Sequence, residues 1–465
     1  MGLDRTGRLS SRGRQRAALA VAVGVVLADS SVVVLALPEI YRELDVSVSA
    51  VTWVLVAFNL VLALSALPAA ACARRFGPAR VALAGIVLFG AASLVCGLAG
   101  SIGLLLAARC LQAVGGAAAV CASLELLPSV VGDERRAATV WAGAGALGAA
   151  LGPGVGGLLT ELISWQSIFL VQVPVAIACA AVLAPAAGAE RSRERVAAEV
   201  RSAGRPHLAA NVALALISAA LAAALFLVVL LLIEGWRLTP IAAAAAVTAL
   251  PIAALAAAPL ARRVESARAR AASGAILIGG GLAGLALLPD ASIALTLPPQ
   301  ALAGAGLALA LSALTEAALA GRSPQAIHGG WTIAARHAGV VAGLLVLTPV
   351  FTADLETERE HAEQSGIAAL LDSQVDPSSK LDLAQRIADR IAAEGDKVPV
   401  VGPAFEPLPD DSAEREATVA LRTSIESEID RAATHAFSSS FLISAGFALA
   451  ALLPILLARR REIEL

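Results

Sequence analysis

Charge is scarce in this chain: only 15% of its 465 residues are Asp, Glu, Lys or Arg, against about 25% in an ordinary soluble domain. Aromatic residues make up 3%, with a single Tyr and a single Met. The 35 Lys and Arg, set against 37 Asp and Glu, form no block of the size that phosphate binding needs, which excludes a nucleic-acid binder. Cys72, Cys96, Cys110, Cys121 and Cys179 lie in or against apolar runs without CxxC spacing. Neither a disulfide framework nor a metal or redox centre is expected. Glycine patterns of the GxGxxG kind fall inside apolar runs with no strand context, so they carry no nucleotide meaning. No cofactor and no enzymatic activity are expected.

What is abundant is apolar length. Hydrophobic residues make up 58% and the mean hydropathy is +0.78. The apolar runs predict an all-α polytopic membrane protein with spans at 18–38, 51–72, 80–99, 103–128, 137–160 and 166–186, then 208–233, 240–260, 272–288, 294–320, 329–351 and 436–457. Each run covers most or all of a ~30 Å hydrocarbon core. The basic start followed by an apolar run is read as span 1 rather than a signal peptide, because Asp29 interrupts the run and more spans follow.

Arginine placement supports the number twelve. Five Arg precede span 1, and Arg74, Arg75 and Arg80 follow span 2. Arg135 and Arg136 follow span 4, Arg191 to Arg205 follow span 6, Arg262 to Arg270 follow span 8, Arg322 follows span 10, and Arg459 to Arg461 end the chain. The odd-numbered exits are acidic or balanced. The positive-inside bias then puts both termini in the cytoplasm of a bacterial inner membrane. The domains expected are a cytoplasmic N-terminus at 1–17, a six-helix bundle at 18–186, a cytoplasmic linker at 187–207, a second six-helix bundle at 208–457 and a tail at 458–465. Within the second bundle, 354–434 carries 19 acidic against 8 basic residues. It reads as a small helical extracytoplasmic insertion, a hairpin of Lys380–Ala393 and 412–433 joined by a stretch holding Pro399, Pro403, Pro407 and Pro409. Asp411 and Glu414 suggest a capping box.

Ionisable residues at membrane depth are expensive and point to function. Asp29, read as halfway along span 1, is the first candidate proton carrier, because a carboxyl group in a low-dielectric setting gains and loses a proton as its neighbours change. Arg109 in span 4 is read as its partner. Glu125 is read as facing the cavity from the outer half of span 4, as a second proton site or a counter-charge for a cationic substrate. Glu316 in span 10, Arg336 and His337 in span 11 are auxiliary cavity candidates. Gly148, Gly152, Gly156 and Gly157 of span 5 recur by threes and fours around Pro153, which predicts a tight helix–helix face that can bend.

These residues resemble the major facilitator superfamily, and within it the drug:proton antiporters usually built with fourteen spans. Leu27-Ala28-Asp29-Ser30-Ser31 through Pro38 resembles that group's first-helix motif, and Trp53 its second helix. Ala107 to Gly116 resembles the fourth-helix motif with Arg109 and Gln112, and Gly148 to Gly157 the antiporter motif of helix five. Trp165 to Pro174 resembles the start of helix six, and Ala335-Arg336-His337-Ala338-Gly339 a late-helix signature. The resemblance implies the major facilitator fold, proton coupling through Asp29 and Arg109, a cavity role for Trp53 and Gln112, and a hinge at the span 5 glycines. It departs at the cytoplasmic gate, where Ala70 replaces Gly and Arg74 replaces the usual acid before Arg75, Gly77 and Arg80, so the acidic bridge between the halves is missing or rebuilt. Glu125 stands where the family more often has an apolar residue.

Together these features imply a proton-coupled exporter of a hydrophobic or amphipathic small molecule, cationic if Glu125 is exposed. A lipid or cell-envelope precursor transporter of the same fold is the first alternative. A non-transporting receptor or assembly protein that binds an extracytoplasmic partner through 354–434 is the second. Protons, the small molecule and membrane lipids are the partners expected.

Overall fold

The computed structural model describes residues 3–192, 204–261, 263–319, 321–394 and 400–458. The middle of the linker expected at 187–207 and nearly all of the 458–465 tail lie outside the described residues. Among the described residues, twelve helices are long and apolar enough to cross a membrane. Spans 1 to 6 are Ser11–Val34, Val48–Phe76, Pro78–Gly97, Ile102–Val131, Arg136–Leu162 and Ser167–Gly188. Spans 7 to 12 are Leu208–Gly235, Pro240–Ala261, Ala267–Ala286, Ile293–Leu319, Gln325–Asp372 and Ser412–Leu457. With an even number of crossings, the start of span 1 and the end of span 12 fall at one end of the molecule, here called the near end.

Local sequence explains where the helices start. Ser47, Ser101, Asp133, Thr239 and Ser266 each accept a backbone N–H two or three positions inside the helix they precede, supplying a partner to a donor that has none within the helix. Between spans 2 and 3, Gly77 sits at φ +98° and serves both helices at once, with Pro78 opening the next. A side chain there would be strained.

The packing repeats about a two-fold. Span 3 packs on span 4 as span 9 does on span 10, span 1 on span 5 as 7 on 11, and span 3 on span 6 as 9 on 12. Glycines mark the first of these pairs. A Cβ added to Gly85 would stand 2.7 Å from the Gly115 carbonyl oxygen, and one added to Gly274 would stand 2.6 Å from that of Gly306. In a membrane such small residues let backbones touch where lipid supplies no hydrophobic drive. Two seams join the halves, span 2 with span 11 and span 5 with span 8. The second lies mainly on Pro240–Val247, away from the near end.

Span 11 departs from expectation. It runs as one 48-residue helix, Gln325–Asp372, where the sequence suggested an end at 351. Residues 353–372 are rich in Ala, Leu and Glu, good helix formers that outweigh the lone Gly366. The helices Pro377–Glu394 and Ser412–His435 follow, with a short turn at Gly402–Phe405. Leu383, Val401, Phe405, Leu421 and Ile425 close a small core of their own. Asp411 caps the second helix through the N–H groups of Ala413 and Glu414. Glu414 does not reach back to complete the box, but accepts from Ser379 Oγ at 3.0 Å. The apolar last crossing is formed by Ser438–Ala450 and Leu452–Leu457.

Candidate functional site

Asp29 and Arg109 meet inside the N-terminal bundle, and both side chains are fully buried. Arg109 Nη1 donates to Asp29 Oδ2 and also to Gln112 Oε1 at 2.6 Å. Gln172 Nε2 of span 6 donates to Asp29 Oδ1 at 2.9 Å. Gln112 Nε2 lies 2.8 Å from Ser93 Oγ and 2.9 Å from Gln172 Oε1. Arg109 Nε donates to the Val54 carbonyl at 3.3 Å, and the guanidinium lies 4.0 Å from the Phe58 ring centroid. Arg109 Nη2 is buried and has no hydrogen-bond partner among the described residues. Five spans thus converge on one charge pair, which burial would penalise heavily if either member stood alone. The pair lies about 10 Å along span 4 from Ile102, nearer the far end than the halfway position expected from sequence.

Gln172 and Ser93 were not singled out from the sequence. Their signal was present: each is a polar side chain in an otherwise apolar stretch, and a buried amide needs partners. Ser30 and Asn59 extend the polar path. Asn59 Nδ2 lies 3.3 Å from Ser30 Oγ, and Asn59 Oδ1 is 2.6 Å from His337 Nδ1 of span 11. Buried His337 therefore faces the N-terminal bundle one residue along from Asp29. Arg336 is half-buried on the side of span 11 opposite the exposed Trp331, Ala338, Ala342 and Leu345. Among the described residues it has no hydrogen-bonding or ionic partner.

Three expected cavity residues lie elsewhere. Trp53 is 45% exposed, in line with the exposed Leu60 and Leu64, and so points outward from the bundle, where an aromatic ring suits the lipid–water boundary. Glu316 is exposed and pairs with Arg270 at 3.0 Å. Glu125 is about 24 Å along span 4 from Arg109, in the half nearest the termini and not the outer half. Even-numbered spans run towards that end. Its Oε2 accepts the backbone N–H of Ala326 at 3.1 Å. At the degenerate loop, Arg75 is exposed with its guanidinium 5.4 Å from the Phe76 ring centroid. Arg74 and Arg80 are half-buried beside it.

The span 5 glycines form a seam. Gly148 abuts the Gly24 carbonyl, Gly152 abuts Ser31 and Gly156 the Val32 carbonyl, all on span 1, while Gly157 abuts Pro240 and Ala244 of span 8. Pro153 has no N–H for the Ala149 carbonyl, and Ser31 Oγ lies 3.2 Å from that carbonyl, with the Ala28 carbonyl at 2.8 Å as the other acceptor for its one proton.

At the far end a cavity of about 500 Å³ opens between the halves, with Glu39, Arg42, Glu161, Glu234 and Arg237 on its walls. Arg42 pairs with Glu234, and Arg237 with Asp430. Burial, reinforced by Glu234, holds the Tyr41 hydroxyl well above the usual phenol range.

The family model described as Major Facilitator Superfamily matches residues 19–354. The chain belongs to the major facilitator superfamily. It has that family's fold, with about twelve spans in two pseudo-symmetric bundles. Over 165 residues it is 36% identical to the methylenomycin A resistance protein of Bacillus subtilis, covering 34% of this chain and 35% of that one. Over 164 residues it is 35% identical to the tetracenomycin C resistance and export protein of Streptomyces glaucescens, 34% of this chain and 30% of that one. A methyl viologen resistance protein of Salmonella typhimurium is 36% identical over 152 residues, 32% of this chain and 31% of that one. The match thus spans about a third of each relative. Among solved structures, a bacterial homologue of the human lysosomal transporter Spinster, in an inward-facing and unoccupied conformation, superposes with a TM-score of 0.59. It shares 15% identity and covers 96% of this chain and 98% of that one. The Escherichia coli xylose transporter gives 0.57 at 13% identity, over 72% of this chain and 90% of that one.

Proposed function

We propose that this transporter is a proton-coupled exporter of hydrophobic or amphipathic small molecules, with its near end in the cytoplasm of a bacterial inner membrane. The observation that carries the reading is the sealed network of Asp29, Arg109, Gln112 and Gln172. A proton on Asp29 removes the charge that Arg109 balances, and Arg109 already has a spare buried donor in Nη2. Protonation thereby becomes a change in what holds spans 1, 4 and 6 together. Ser31, two residues along span 1, can pass that change to span 5 by turning its one proton between the Ala28 carbonyl and the Ala149 carbonyl. Span 5 is a wall of the seam with span 8 and the candidate hinge. Ser30, Asn59 and His337 tie it to span 11.

The resistance and export relatives support the substrate class, since each matches this chain at better than one residue in three over its aligned part. The apolar, aromatic-poor spans suit an amphipathic solute better than a sugar, which asks for stacking rings. Arg336 is the side chain best placed to orient that solute. Arginine on the connections at the near end supports a cytoplasmic location for that end, and so an extracytoplasmic one for the helices of 354–434.

The test is reconstitution in liposomes with an imposed pH gradient and a trapped pH dye, with methyl viologen and tetracenomycin C as probes. Proton flux that depends on the added probe, and that is lost in Asp29→Asn, is the expected result. Unchanged flux in Asp29→Asn would remove Asp29 as the carrier.

A further inference from the structure

Two carboxylates of the N-terminal bundle reach across to helix starts of the C-terminal bundle, one at each end of the molecule. At the near end Glu125 Oε2 accepts the Ala326 N–H at 3.1 Å. At the far end Glu161 Oε2 accepts the Ile241 N–H at 2.7 Å. The first N–H groups of a helix have no partner within it, and the aligned peptide dipoles make that end positive. Each contact is therefore a charge-assisted hydrogen bond. Span 11 begins behind Pro324, which supplies no side-chain cap, so Glu125 caps it from the other bundle. Span 8 has its own Thr239 cap on Ala242, which leaves the Ile241 N–H to Glu161.

Close packing accompanies both contacts. Gly329 lies against Leu124 and Gly330 against the Ala66 carbonyl beside Glu125, and Gly157 lies against the Pro240 carbonyl beside Glu161. The two-fold does not repeat the near-end contact. Glu316 stands ten residues beyond Gly306 as Glu125 does beyond Gly115, yet it pairs with Arg270 inside its own bundle. The start of span 5, which it would serve by symmetry, is capped by Asp133.

We propose that Glu125 and Glu161 are opposing clasps that set the balance between the two open states of the transport cycle, Glu125 holding the near end shut and Glu161 the far end. The proposal rests on the reading of the chain as a transporter that opens alternately to its two sides. Each open state must break one clasp and can keep the other, so removing a clasp favours the state in which it is already broken. Arg42–Glu234 is a second link between the halves at the far end, so loss of Glu161 has the smaller effect.

The test uses the full chain in nanodiscs with Cys72 and Cys110 replaced by serine, spin-labelled in pairs, with distances measured by pulsed electron resonance. Ser129 with Ser323 reports the near end, and Ser101 with Asp290 the far end. In Glu125→Ala the ratio of long to short near-end distances rises about tenfold, a shift of about 1.4 kcal/mol, and the long far-end distances diminish. Glu161→Ala moves both pairs the opposite way, more strongly when combined with Arg42→Ala. Glu125→Gln keeps an acceptor but no charge, so it shifts in the same direction by less, and it serves if the alanine variant does not elute as a single species. Wild-type distributions in all the variants, or shifts in the same direction for Glu125 and Glu161, overturn the proposal. The distances need no substrate, so failure of the export reading leaves the result standing.

Discussion

A carboxylate and a guanidinium sealed from solvent on facing helices depend on each other more than on anything else nearby. Arg109→Ala leaves Asp29 charged, buried and short of its partner, at a cost of about 3–5 kcal/mol. It should lower the unfolding temperature in detergent somewhat more than Asp29→Asn, which also leaves a buried charge without its counter-charge but keeps one amide oxygen as an acceptor. Gln172→Leu leaves Asp29 Oδ1 only the longer hydrogen bond from Gln112 Nε2, at 3.3 Å, and removes an acceptor from Ser93 and Gln112, so it should cost about 1–3 kcal/mol in the same assay. Trp53→Phe should leave transport unchanged, because Trp53 points away from the bundle interior. The pairing of Asp29 with Arg109 was legible in the sequence because each is a lone charge in a long apolar run, and two such charges need each other. Trp53 was not, since an aromatic ring suits a cavity wall and the lipid boundary equally well until the helix is rotated into register. Glu125 was misjudged along the helix axis for a simpler reason: an even span runs towards the end where the chain begins.

Among the elements, span 5 shows how a spacing rule becomes a seam. Its glycines at 148, 152 and 156 were legible as one face, but which helix they meet was not, because contact between spans 1 and 5 is set by the whole bundle. The seam makes two sets of glycines distinguishable. A Cβ on Gly148 would overlap the Gly24 carbonyl, whereas Gly143 and Gly154 have open space around them. Gly148→Ala should destabilise by about 1–3 kcal/mol. Gly154→Ala should be neutral or stabilising by up to about 1 kcal/mol, the difference in helix propensity. Thermal unfolding of the two variants side by side checks both. Span 11 marks the limit of reading helices by hydropathy: the apolar signal stops near 351, but the helix-forming residues do not.

For the molecule as a whole, the helices after span 11 belong mechanically to the C-terminal bundle. Trp236 Nε1 of span 7 donates to Thr434 Oγ1 at 2.9 Å, and Arg237 pairs with Asp430. Their small core centres on Phe405, which is 1% exposed. Phe405→Ala should cost about 3–5 kcal/mol locally. Limited proteolysis should then cut faster within 373–411 while the membrane-embedded fragments keep their sizes. Equal cleavage rates would show that this core does not hold the segment. The two helices Pro377–Glu394 and Ser412–His435 were visible in the sequence through caps and periodicity, but the second packs on span 11 rather than forming a hairpin with the first. Its attachment to span 7 depends on contacts some two hundred residues apart along the chain, and no local pattern announces those.

The length of span 11 has a mechanical consequence. At 1.5 Å per residue its 48 residues trace about 72 Å of helix with Pro349 inside it, and about 34 Å of that lies beyond the proline. Pro349 lacks the N–H of one ladder bond, so if the helix bends there each degree sweeps the Asp372 tip sideways by roughly 0.6 Å for that arm length. A rocking step too slight to notice at the proton pair would be magnified at the tip, making it the place on this protein where a fluorophore would read the transport stroke with the greatest gain.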